Sequence, residues 1–125
     1  MMQNPYLAYK NQDIDTSSPY ELVGKLYGAG AANLRKAAVY VRENRLDLAS
    51  DRIIKTQQIL TALNDTLDMQ YDISQNLRQL YVYMYKRLVE ANIHKDTAIL
   101  DEVAGTLTEF RDTWDQAVKN FKMGV

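Results

Sequence analysis

Seven apolar residues near the C-terminal end, Leu100, Val103, Leu107, Phe110, Trp114, Ala117 and Phe121, recur three and four apart without a miss. That spacing gathers them on one stripe of an α-helix, whereas a strand would need alternation at every second residue. Such a stripe is the seam of a bundle or coiled coil, so other helices must exist to cover it.

Three earlier segments meet that need. Ser18 stands at an N-cap position, Pro19 at the first helical position and Glu21 at the third, where serine and glutamate can satisfy each other's free amides. From Pro19, the residues Leu22, Leu26, Gly30, Leu34, Ala37 and Val41 form a stripe that closes near Asn44. A second helix is expected over 48–68, with Ile53, Leu60, Leu63 and Leu67 as its seam. Asp72 or Ser74 caps a third, which reaches Ala91 or Asn92; after a short NIHKD turn Asp96 caps the fourth. Helices of about twenty residues are each about 30 Å long, and short links between them make neighbours antiparallel. The expected fold is therefore all-α, an antiparallel four-helix bundle over 18–125 preceded by an N-terminal arm over 1–17. The arm has no helical periodicity but carries Tyr6, Leu7, Tyr9 and Ile14.

Composition removes several functions. Fifteen basic and sixteen acidic side chains are interspersed, with a net charge of −1, so the chain lacks the basic footprint expected for nucleic acid or anionic lipid. Without cysteine there is no disulfide, zinc–thiolate site or thiol catalysis. The N-terminus shows no secretory-signal pattern and no apolar run approaches eighteen residues, so no membrane insertion and a cytoplasmic location are expected. The single histidine, His94, falls in the predicted turn among charged neighbours, the wrong setting for a phosphotransfer histidine. No Glu-x-x-His pair is present, which disfavours a di-iron bundle. Asp101, Glu102, Asp112 and Asp115 fall on the outward side of the fourth helix and read as a solvated face. No catalytic residue, metal site or cofactor is expected.

The third helix is more informative. Leu77, Leu80, Met84, Leu88 and Ala91 form its expected core stripe, with Tyr81 beside it. Val82, Tyr85 and Val89 widen the apolar sector to roughly 200°, about twice what a bundle helix needs. Either the arm, a neighbouring helix or a partner covers that flank, and exposed apolar patches with tyrosine are features of interaction surfaces. Tyr6 and Tyr9 have two readings of their own, a plug on the bundle or a short linear anchor.

At this point the residues match a known pattern. The segments NPYLAY, TSSPYEL, the following LY, NLRQLYVYMYKRLVEAN and LDEVAGTLTEFRDTW, in that order over nearly the whole chain, resemble the FliS family of flagellin-specific export chaperones. The resemblance implies a four-helix bundle without catalysis. Its client would be the disordered C-terminal region of newly made flagellin, held unpolymerised in the cytoplasm and delivered to the export gate of the flagellar type III secretion system. It also implies that the arm can occupy part of the client surface, and that Tyr6 and Tyr9 match positions tied to the gate protein FlhA. An anti-sigma factor, a co-chaperone and a second copy of the chain are further candidate partners. Two departures stand out: Gly28-Ala29-Gly30 follows LY where the family carries an acid first, and Met69-Gln70-Tyr71-Asp72 replaces a glycine-rich loop.

Candidate flagellin-binding residues are then Val82, Tyr85 and Val89, together with Gly24 and Gly28. Those two glycines, four apart, fall away from Leu22, Leu26 and Leu34 and are read as a shallow track for the arm or for flagellin backbone. Gly30, on the core side, is read as a close approach of another helix. The alternative reading is a self-associating regulatory or structural bundle whose wide flank is a homodimer interface.

Overall fold

A computed structural model describes residues 18–122. These form four helices: α1 (Pro19–Arg42), α2 (Leu46–Asp65), α3 (Asp72–His94) and α4 (Thr97–Lys122). Helix α1 packs against α2 and α4, and α3 closes the square by packing against the same two. With links of only a few residues, neighbours run antiparallel: Asn33 meets Arg52, Ser50 meets Asn92, Arg87 meets Glu102 and Arg42 meets Asp101. The all-α bundle expected from the sequence is therefore observed. The arm, with Tyr6 and Tyr9, lies outside the described residues.

The helix ends follow from local chemistry. Ser18 Oγ accepts the Glu21 amide at 3.2 Å, as the cap pattern predicts, while the Glu21 carboxylate is engaged by Lys122 at the far end of the chain. Asp96 Oδ1 accepts the amides of Ala98 and Ile99 and so starts α4. Helix α3 runs past the expected stop because Lys95 adopts a left-handed conformation (φ 49°), letting the Asp96 amide reach back to the Ala91 carbonyl at 3.0 Å. His94 is therefore the last residue of a helix and is exposed. The expected caps of α3 are corrected: Tyr71 is its N-cap and makes no side-chain cap bond, Asp72 is already helical and Ser74 is buried inside.

The interior is a layered apolar core. Leu22, Leu26 and Leu34 of α1 meet Ile53, Leu60 and Leu63 of α2, Met84 and Leu88 of α3, and Leu100, Val103 and Leu107 of α4, all at most 2% exposed. Fully burying one such side chain contributes about 1.5–3 kcal/mol. Small residues bring α1 close to its neighbours. A methyl group at Gly30 would lie 3.1 Å from Leu107 Cδ1 and 3.4 Å from Thr56 Cγ2, and the Thr56 hydroxyl donates to the Gly30 carbonyl at 3.3 Å.

Two core expectations fail. Leu80 is 42% exposed, because Tyr81, about 100° round the helix, turns inward in its place and leaves Leu80 at the edge facing α4. The fourth-helix stripe is buried only through Leu107; Phe110 and Trp114 are half-buried, Ala117 is exposed and Phe121 is 79% exposed. There helix α4 runs alongside the start of α1, contacting its Tyr20 and Glu21.

Candidate functional site

The helices leave one long apolar face between α2 and α3. Ser50, Gln57 and Asn64 of α2 point toward α3, where they bond Asn92, the Tyr85 carbonyl and Arg78. These contacts orient Val82, Tyr85 and Val89 along the outer edge of the same junction, each 41% exposed. Ile93, four residues beyond Val89, extends the stripe and is 71% exposed. Ile54 on α2, four residues from Ser50, is also exposed. Between the helices lies a depression of about 160 Å³, walled by Leu60, Thr61 and Asn64 on one side and Tyr81, Val82 and Tyr85 on the other. Val82 to Ile93 spans about 16 Å of helix, room for roughly three turns of a second helix laid alongside.

Val82, Tyr85 and Val89 thus share one accessible face, as their spacing suggested. Sequence reasoning missed Ile93 and Ile54. A third helix that stops at Ala91 or Asn92 puts Ile93 in a turn, and only the i+4 step from Val89 signals it.

Gly24 and Gly28 stand differently. Their side of α1 is not an open track: Gly24 is buried under Asp115 and Trp114 of α4, and a methyl at Gly28 would meet Arg111 Cδ at 3.1 Å. The physical reason is that the glycines admit α4, whose long side chains lie across them. Asp101, Glu102, Asp112 and Asp115 are exposed as expected, and three of them pair with Arg42, Arg87 and Arg111.

A second apolar depression, of about 270 Å³, sits where α1 starts and α4 ends, between Tyr20, Trp114, Ala117, Val118 and Phe121. The Trp114 indole N–H donates to the Tyr20 carbonyl and fixes the ring there.

Beneath the α2–α3 face, Tyr27 and Tyr81 form the polar centre of the core. Their hydroxyls lie 2.5 Å apart and the Tyr27 ring meets Phe110 edge-on. Burial pushes both phenols above their ordinary value of 10. Arg87, at the rim between α3 and α4, is held more firmly protonated by its hydrogen bonds to Glu102. Among the described residues, no group of three or more His, Asp or Glu side chains could hold a metal ion, and no helix is long and apolar enough to cross a membrane. The described surface thus offers exposed apolar side chains and two shallow, mostly apolar depressions rather than a metal-binding cleft.

Comparison with known proteins gives a consistent result. The family described as "Flagellar protein FliS" matches residues 2–121. A flagellar secretion chaperone FliS of Bacillus subtilis (strain 168) is 40% identical over 119 residues, covering 95% of this chain and 90% of that protein. A flagellar secretion chaperone FliSB of Pseudomonas aeruginosa is 33% identical over 104 residues, 82% of each chain. A third relative, the flagellar secretion chaperone FliS of Vibrio cholerae, is 28% identical over 121 residues, 92% of this chain and 89% of its own.

Proposed function

The chain belongs to the FliS family of flagellar proteins, and we propose that it is a flagellar export chaperone whose client is the disordered C-terminal region of flagellin. It works by binding, not catalysis: it keeps flagellin from polymerising in the cytoplasm and hands it to the export gate protein FlhA. The observation that carries this reading is the exposed stripe of Val82, Tyr85, Val89 and Ile93 on α3, in a chain whose relatives are named flagellar secretion chaperones.

Magnitudes say what such a client must do. Ordering one residue costs about 1–2 kcal/mol, and apolar burial returns about 25 cal/mol per Å², so each ordered client residue needs roughly 40–80 Å² removed from water. A face about three turns long orders only a short segment, and a tightly held client therefore extends onto further surface. The depression at Tyr20, Trp114 and Phe121 supplies some. Gly24 and Gly28 join only where Arg111 and Asp115 swing outward.

Calorimetric titration with the C-terminal region of the cognate flagellin tests the reading. Binding at tens of micromolar or tighter is expected; its absence overturns the proposal, and a dimer of the free chain unaffected by flagellin would favour self-association instead. For gate delivery, Tyr6→Ala with Tyr9→Ala is expected to spare flagellin binding and reduce capture by FlhA. Equal capture by the variant would remove these two tyrosines from that step.

A further inference from the structure

Helix α3 is fastened unevenly along its length. Its later part carries four buried residues, Tyr81, Met84, Leu88 and Ala91. There Arg87 forks onto Glu102 of α4 at 3.1 and 3.2 Å, Ser50 of α2 donates to Asn92 at 2.8 Å, and the Lys95 ammonium closes the helix end on the Asn92 carbonyl at 2.7 Å. The first nine residues, 72–80, contain one buried side chain, Ser74. Leu77 is half-buried, Ile73 and Leu80 are exposed, and the tie from Arg78 to Asn64 is a long 3.4 Å contact in solvent.

Position at the end of the bundle does not account for this. Helix α1 starts at the same end, and Leu22, Gly24, Leu26 and Tyr27 are buried within its first nine residues. The difference is that α1 has close neighbours on both sides, whereas α3 meets α4 only loosely. Segments with few buried apolar contacts open at a lower free energy than the whole fold.

We propose that residues 72–80 form a lid that opens as a unit about Tyr81, whose hydroxyl pair with Tyr27 anchors the next turn to the core. Opening turns Leu77 out of the core edge and uncovers that side of α4 near Phe110, both residues being partly buried against the core while the lid is shut. The Arg87–Glu102 fork stops the opening from spreading toward His94. The use of the lid, to admit a client segment to that seam, rests on the function proposed above; the motion itself does not.

Hydrogen exchange of the full chain without client tests it, leaving out the first turn, whose amides lack helical partners. After correction for intrinsic rates, amides 76–80 are expected to exchange roughly tenfold or more faster than amides 84–91 of α3 and 26–30 of α1. Rates for 76–80 within about threefold of those for 84–91 overturn the lid, and fast exchange extending past residue 81 in the native chain overturns the hinge position. Arg87→Gln is expected to carry fast exchange into 82–88 while leaving α1 unchanged. If the 82–88 amides keep their protection in that variant, the fork is not the stop.

Discussion

Tyr27 on α1 and Tyr81 on α3 stand on diagonally opposite helices and satisfy one another's hydroxyl, 2.5 Å apart, within a largely apolar core. Removing one partner should cost more than removing both. Tyr81→Phe leaves the Tyr27 hydroxyl buried without its partner and is expected to destabilise the fold by about 1–3 kcal/mol. The double variant Tyr27→Phe with Tyr81→Phe should recover most of that loss, read as urea midpoints in a double-mutant cycle. Additive losses would show that the two hydroxyls do not act as a pair.

The same pair sets a response to alkali. Burial raises both phenol pKa values above 10, so between that pH and the folded-state values the unfolded chain ionises first and binds fewer protons. Stability from this source is complete below pH 10 and declines as pH rises, by up to about 1.4 kcal/mol per pH unit for each group. Urea midpoints from pH 8 to about pH 11 should fall for the native chain and fall less steeply for the double phenylalanine variant. Parallel curves would assign the decline to other groups.

Glycines in one helix should respond in opposite senses. At Gly28 an added methyl meets the flexible Arg111 side chain at the protein edge, and the gain in helix propensity of about 1 kcal/mol dominates, so Gly28→Ala should raise the melting temperature. At Gly30 the methyl meets Leu107 and Thr56 in the core. Overpacking there costs about 1–3 kcal/mol, so Gly30→Ala should melt lower. A rise for both would mean that α2 and α4 yield at Gly30 without strain.

On the α2–α3 face, Tyr85→Glu and Val89→Glu each place a charge where a client would bury apolar surface. Both residues are 41% exposed in the free chain, so helicity by circular dichroism should be unchanged. Affinity for the flagellin C-terminal region should fall about tenfold or more, equivalent to at least 1.4 kcal/mol. Undiminished affinity in both variants would move the client surface elsewhere.

How far the sequence reached is clear from individual residues. The Ser18 and Asp96 caps, the α1 stripe and the first turns of the α4 stripe were legible because they depend on chemistry within a few residues. Leu80 and Phe121 were misplaced because periodicity tells which residues share a stripe, but not where the covering neighbour ends or how far a helix is rotated. The inward turn of Tyr81, which decides Leu80, depends on Tyr27, 54 positions earlier. Gly24 and Gly28 were misread for a related reason: a gap on a helix surface invites whichever chain is nearest, and here that is α4. That Val82, Tyr85 and Val89 share an exposed face was legible because surplus apolar arc on one helix is itself a local quantity.

Trp114, the only tryptophan, has its indole tied to the first turn of α1 by the Tyr20 carbonyl. The molecule therefore carries its own optical gauge at one end. Fluorescence reports the docking of the α4 tail on the start of α1, while circular dichroism sums every helix. Coincident unfolding curves from the two would mark a single cooperative unit; an earlier fluorescence change would show that this end parts first.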